Sequence, residues 1–304
     1  MNDQTMNKMV DAFQKENLGV LYAQIRRGGE VTGEFRKTPK TARMNLYSVS
    51  KSVVSVGAGI AMQEGLIRLD ERICDAFPEY VPDNASANLL ELQVKHLLSM
   101  TTGLENSLFF ADSPERYTVK DWIQYFFNAE FTHKPGEQFL YSNFNTYMVS
   151  CLIEKRAGQN LLEYLRYRLF EPIGIGNPDW TLCPRGHVHA ANGLYFNIDE
   201  LGKFGQMLLQ EGFCNGKQIV PAEYLREATM DQVKCTGVKK DDPNFYGYGY
   251  QFWKSRLEDT FMCDGNYGQY CLVMPNKACV ISILSFEANY GRIKEILLNC
   301  AGEI

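Results

Sequence analysis

Histidine and tryptophan are scarce in this chain, with 4 and 3 copies among 304 residues. It contains no Cys-x-x-Cys, no His-Glu-x-x-His and no Gly-x-Ser-x-Gly. Those gaps argue against a zinc framework, a zinc-protease helix and the nucleophile elbow of a His-based serine triad. Long blocks of like charge are also missing. Lys plus Arg number 31 against 36 Asp plus Glu, a net charge of −5, so the basic surface that a general nucleic-acid binder needs is not supplied. The longest weakly polar run, Val53 to Met62, falls far short of the roughly 20 residues that cross a bilayer, and no membrane anchor is expected. The start, MNDQTMNKMVDAFQKENL, lacks the basic, apolar and small-residue succession of a secretory signal. With Met1 as the natural start, a cytoplasmic address follows. No internal repeat or low-complexity segment is visible.

The composition that is present, 45% hydrophobic, 22% charged and 12% aromatic, is that of a globular protein. A fold of this length buries roughly 75% of its unfolded surface, so a core needs no staples. The 9 cysteines are odd in number and scattered through apolar stretches, which predicts reduced, mostly buried small hydrophobes.

Periodicity predicts a helix over 4–16, then two strands around a Gly-Gly turn within 18–35. A buried helix follows over 48–65, with Ser48 at the N-cap and Gly65 at the C-cap position. Further helices are expected at 89–101, 118–128, 143–157, 160–170, 198–212 and 221–231. Strands are expected at 247–253, 259–264, 269–274 and 278–285, and 289–302 closes the chain as a helix. Strands near both ends predict an α+β fold, an α/β sandwich in which 1–70 and 240–304 build one antiparallel sheet flanked by helices. Residues 71–239 would form a large, mostly helical insertion beside it. A small-molecule site is expected in the cleft between the two.

Ser48-Val49-Ser50-Lys51 is the one Ser-x-x-Lys in the chain. With 13 Ser and 17 Lys in 304 positions, chance supplies about 0.7 such matches, so context must give it meaning. Ser48 opens a buried helix, where free N–H groups and the positive end of the dipole favour negative charge on its oxygen. Lys51 lies three residues on, on the same helix face, and enters an apolar helix with no acid nearby. Tyr141-Ser142-Asn143 stands at the start of another helix after a Pro-Gly turn. CDGNYGQY (263–270) puts Gly265 and Gly268-Gln269 at a strand edge, where backbone can approach a ligand closely.

In this order, Ser-x-x-Lys, Tyr-x-Asn and a glycine-bearing late strand resemble the serine β-lactamase and penicillin-binding protein superfamily, above all its class C β-lactamase-like esterases and amidases. VKHLLSMTTGL (94–104), KPGEQFLYSN (134–143), ANGLYFNIDELGKFGQMLL (191–209) and YGYGYQFW (246–253) extend the likeness over nearly the whole chain. The resemblance implies a cofactor-free serine hydrolase in which Ser48 attacks the carbonyl of a small ester, amide or peptide. Tyr141 as phenolate or Lys51 as free amine would take its proton. Asn143 would position substrate or lysine, and the N–H groups of Ser48 and of Asn266, beside Gly265, would hold the oxyanion. Tyr195, Trp253, Tyr267 and Gln269 are weaker candidates for the pocket.

One departure stands out. Many relatives carry Lys or His two positions before the glycine of the last motif, and this chain has Cys263. A thiol supplies no charge for a substrate carboxylate, so weak or no β-lactamase activity is expected. The Gly-x-x-Gly-Gln form of 265–269 looks more like the esterase and oligoamide-hydrolase branch. Cys263 has no evident His partner as a nucleophile. His187-x-His189 lacks a third ligand at metal-site spacing and reads as structural, so no metal is expected. The competing function is a non-catalytic ligand-binding or sensor protein that keeps the pocket. The sequence leaves the oligomeric state open.

Overall fold

The computed structural model describes residues 3–109, 113–233 and 247–304. Its largest element is a 7-stranded antiparallel sheet drawn from both ends of the chain. β1 (Val20–Arg27) and β2 (Glu30–Arg36) form the expected opening hairpin, turning at Gly28 and Gly29 with φ of 56° and 92°, backbone that glycine adopts without steric cost. Two small sheets, one of 3 strands and one of 2, stand apart from the 7-stranded one. β3 (Met44–Asn45) and β4 (Asp179–Trp180) flank β5 (Leu194–Phe196), and β6 (Phe213–Cys214) pairs with β7 (Lys217–Gln218). The late strands are β8 (Gly247–Tyr248), β9 (Trp253–Lys254), β10 (Phe261–Gly265), β11 (Gln269–Met274) and β12 (Cys279–Ser285). The order β2-β1-β12-β11-β10-β9-β8 places β12 beside β1 and so joins the two ends of the chain.

Helices cover both faces of that sheet, and every residue of β11 and β12 is buried. Side chains alternate between the faces as strand geometry requires. Ile281 and Ile283 meet Met9 and Phe13 of α1 (Gln4–Lys15) and Leu297 of the closing helix, while Val280 and Leu284 join the core on the other side. That second core holds α2 (Val49–Gln63), whose residues from Val49 to Ala61 are all buried, as a helix apolar all round should be.

Five short helices follow: α3 (Ile73–Ala76), α4 (Ala87–Leu90), α5 (Val94–Leu98), α6 (Glu115–Thr118) and α7 (Trp122–Phe127). The longer α8 (Asn143–Ala157) ends on left-handed Gly158, and α9 (Leu161–Leu165) runs into a π-helical turn. α10 (Ile198–Leu209), α11 (Ala222–Thr229) and α12 (Tyr290–Gly302) complete the set. No helix among the described residues is long and apolar enough to cross a membrane. The eight described cysteines are free, six of them buried, and Cys235 lies outside the described residues.

Three expectations need correction. The helix over 89–101 is two, because Gln93 adopts extended backbone and starts α5 in a reciprocal cap with His96. The helix over 118–128 shortens to α7, which begins where Asp121 accepts from the Gln124 N–H. The strand over 247–253 is a tight hairpin, β8 and β9, reversed at Gln251 with φ of 66°.

α10 packs across the central strands through Gly205, where an added Cβ would stand 2.6 Å from both Cys271 Sγ and Val280 Cγ1. Overpacking of this kind costs about 1–3 kcal/mol. Gly205→Ala should therefore lower the urea midpoint by that equivalent. Gly176→Ala, with open space around the new methyl, should stay within about 0.5 kcal/mol of wild type; equal midpoints for the two variants would refute this packing.

Candidate active site

Ser48 stands at the first turn of α2, yet its hydroxyl caps no helix N–H. It lies instead 3.0 Å from Lys51 Nζ, one helical turn on. The turn ahead of it is tight, with Tyr47 at φ 46° and its N–H bonded to Asn45 Oδ1.

Lys51 is 1% exposed. Its Nζ donates to Asn143 Oδ1 at 2.8 Å and to the Ala191 carbonyl at 2.9 Å, and among the described residues it forms no ion pair with an acid. Burial, uncompensated by a carboxylate, lowers its pKa from 10.5 to about 7. The identity of the Asn143 amide atoms is fixed by its other bond, since Nδ2 donates to the Phe109 carbonyl at 2.7 Å. Oδ1 therefore faces the lysine. Two of the three lysine partners are thus pure acceptors. A neutral amine that keeps both N–H bonds to Asn143 and Ala191 has its lone pair left for the Ser48 hydroxyl.

Tyr141 closes the group from the other side. Lys51 Nζ lies 4.9 Å from the centre of its ring, which stacks on Trp253 at 5.5 Å and meets Tyr248 edge-on at 6.0 Å. Burial raises the phenol's pKa above its ordinary value, the neighbouring Ser48 hydroxyl draws it partway back, and Asp264 pushes it up again. Tyr141 is therefore a neutral phenol at physiological pH. Ser142, rather than Asn143, caps α8, accepting from the Phe144 N–H at 3.3 Å. That leaves the Asn143 side chain for Lys51.

β10 delivers Gly265 directly behind the Tyr47–Ser48 turn. Any side chain at this position would collide with the Leu46 carbonyl, so only glycine lets the strand end and the start of α2 approach. The Ser48 and Asn266 amide N–H groups are taken up by no hydrogen bond among the described residues. Cys263 points into the core toward Cys271 and Ser52, and burial holds its thiol well above the usual range. Behind β10, Asp264 pairs at 3.3 Å with Lys294 of α12, itself 1% exposed.

The weaker candidates divide. Trp253 backs Tyr141, while Tyr267 packs against Tyr47 at 5.0 Å. Tyr195 sits opposite Asn45 in the small sheet, its phenol within electrostatic range of Tyr47. Gln269 needs correction as a pocket residue. It is fully buried beneath the 266–268 turn, where Nε2 donates to the Ser285 and Asn266 carbonyls. Among the described residues no group of three or more His, Cys, Asp or Glu side chains is placed to hold a metal ion.

The β-lactamase family model matches residues 5–291. The chain belongs to the β-lactamase family. Membership makes it a hydrolase of the serine β-lactamase and penicillin-binding protein superfamily, with small-molecule substrates in general. An uncharacterized protein of Alkalihalophilus pseudofirmus is 26% identical over 285 residues, covering 84% of this chain and 78% of that protein. Among solved structures, a putative 6-aminohexanoate-dimer hydrolase from Bacillus anthracis superposes with a TM-score of 0.79 at 20% identity, covering 96% of this chain and 80% of the other. EstCE1, a hydrolase with promiscuous acyltransferase activity, gives 0.77 at 18% identity and coverage of 98% and 99%. The expected α+β architecture is the fold shared with these solved structures.

Sequence reasoning missed the groups that hold the family motifs in place. Glu154, 7% exposed, accepts from the Val188 N–H at 3.1 Å and bonds His187 Nδ1 at 2.7 Å, fixing the segment that brings Ala191 to Lys51. Gln251 bonds the Leu97 and Leu98 carbonyls and Thr146, and its carbonyl accepts from Ser52. Backbone carbonyls carry no sequence signature, Glu154 sits in no recognisable motif, and the likeness of 246–253 to the family assigns no role to Gln251.

The lowered pKa of Lys51 has a consequence for stability. Between about pH 7 and 10.5 the unfolded chain holds a proton on this lysine that the folded protein does not, so folding gains with rising pH in that window. Urea unfolding of wild type and Lys51→Met from pH 6 to 9.5 should show wild type gaining on the variant above about pH 7, with a limiting slope of about 1.4 kcal/mol per pH unit. A stability difference that does not change with pH would contradict a lysine held near neutrality.

Proposed function

We propose that the protein hydrolyses small esters, amides or peptides through an acyl-enzyme on Ser48, with weak or no β-lactamase activity. The observation that carries this reading is the bonding of Lys51: two fixed acceptors hold its N–H groups and the third partner is the Ser48 hydroxyl. As a free amine near neutral pH, Lys51 accepts the Ser48 proton while Oγ attacks the carbonyl carbon. Negative charge develops on the carbonyl oxygen, where the Ser48 and Asn266 N–H groups serve as donors, a pair of the kind in which each contributes about 3–4 kcal/mol. Tyr141, neutral because it is buried, gives its proton to the departing alcohol or amine and recovers one from the Lys51 ammonium. Water then attacks the acyl group and transfers its proton to the free amine, and Ser48 leaves with a proton returned to Oγ.

Cys263 limits the substrate range. It lies buried where many relatives present a cation, and a neutral thiol gives a β-lactam carboxylate no counter-charge. The names of two solved structures of the same fold, a putative 6-aminohexanoate-dimer hydrolase and a hydrolase with promiscuous acyltransferase activity, support a reading as an acyl-transferring hydrolase.

Steady release of p-nitrophenol from p-nitrophenyl butyrate is expected, and a single stoichiometric burst would instead identify a ligand-capturing sensor. Ser48→Ala should reduce turnover at least about 1000-fold and abolish labelling by a fluorophosphonate. Because Lys51 works deprotonated, kcat/KM should rise through about pH 7 and then level. A profile falling over that range, or nitrocefin turned over as fast as the ester, would contradict these assignments.

A further inference from the structure

Ser48 and Asn266 are each adjoined by a tyrosine in left-handed backbone, Tyr47 at φ 46° and Tyr267 at φ 61°. Bulky side chains rarely adopt this region, and where they do the surrounding structure over-determines them. Here the Tyr267 carbonyl accepts from Ser285 Oγ and from the Glu287 N–H, and Gln269 fastens the Asn266 carbonyl from below. The conformation sets the two rings against each other at 5.0 Å between centroids. Tyr267 then stacks on Phe286 at 5.2 Å, tilted only 17°. Three rings therefore run from the nucleophile turn out to solvent, with Tyr267 36% and Phe286 67% exposed. Single exposed aromatics are ordinary. A continuous series of three rings in contact, the first pair tilted at 52° and the second stacked, starting beside Ser48, is not accounted for by core packing.

Resting on the Ser48 reading, we infer that Tyr47, Tyr267 and Phe286 form a subsite for an aryl or arylalkyl group of the substrate, held by stacking and edge contacts close to the carbonyl under attack. Flat π faces favour a flat partner over an aliphatic ring of equal size, because aromatic pairs gain beyond the area they bury. A cationic occupant would be helped by a free carboxylate. The acid next along the chain, Glu287, has its oxygens bonded to the Gly19 and Asn289 N–H groups at 2.8 Å each, which favours an uncharged ring.

Phosphonofluoridates test this at the step before turnover. One pair carries benzyl or cyclohexylmethyl on phosphorus, and a second pair carries the same groups on the ester oxygen, so that either arm of the substrate is sampled. Second-order labelling rates at Ser48, located by peptide mass spectrometry, should favour benzyl about 2- to 12-fold in at least one pair. That preference should fall to about 1 in Tyr267→Leu and in Phe286→Leu. Phe286 is mostly exposed, so its variant reports on the subsite without disturbing the core, and labelling by the cyclohexylmethyl probe shows that the nucleophile still stands. Equal rates within both pairs, a preference unchanged in both variants, or stronger protection by benzyltrimethylammonium than by neopentylbenzene overturns the aryl subsite alone. Failure of every probe to label Ser48 overturns the nucleophile assignment, and the subsite with it.

Discussion

A buried lysine amine with no carboxylate partner among the described residues is the constraint around which this site is arranged. Removing an ammonium from water is costly unless it is paired or gives up its proton, and Lys51 is given hydrogen-bond acceptors instead of an anion. Asn143 and Ala191 satisfy its N–H groups without stabilising its charge as an acid would. The result is an amine poised near neutrality, one helical turn from a hydroxyl. An aspartate in place of Asn143 would hold the lysine protonated and remove the lone pair that faces Ser48.

Each partner of Lys51 depends in turn on a second layer. Asn143 is oriented by the Phe109 carbonyl, and Ala191 lies just beyond a segment tied down by Glu154 through Val188 and His187. Gln251 fastens α2, α5 and α8 to the β8–β9 turn by four hydrogen bonds from its side chain and carbonyl. Buried polar groups so fully bonded specify one arrangement, because any shift leaves donors or acceptors unpaired. On the opposite side, Trp253 and Tyr248 enclose Tyr141 and keep its phenol protonated. Lys51 and Tyr141 thus receive opposite pKa shifts from the same cause, burial, because the amine is charged when protonated and the phenol when deprotonated.

The sheet edge contributes closeness of approach. Gly265 has no side chain to keep β10 from the Leu46 backbone, and the turn that follows is held by Gln269 and Ser285. Cys263 and Asp264 occupy opposite faces of the same strand end. The thiol is sunk in the α2 core, and the carboxylate is matched by Lys294 from α12. Positive charge is therefore supplied behind the strand, where it balances Asp264, and not at position 263.

Local sequence determined the opening hairpin, α2, α8, the late strands β10 to β12 and the pairing of Ser48 with Lys51. Each of these rests on short-range periodicity, glycine turns or a three-residue helical spacing. Tyr141 and Asn143 were legible through motif order, not through spacing from Ser48. Tertiary structure alone decided that carbonyls of Phe109 and Ala191 complete the site, since every residue carries the same carbonyl and only the fold says where it points. It also turned 247–253 into a hairpin, where the bonds made by Gln251 outweigh the strand pattern. It placed Gln269 beneath its turn rather than in the pocket, and it brought the rings of the two left-handed tyrosines to 5.0 Å from each other, a contact between residues more than 200 positions apart that no local pattern encodes.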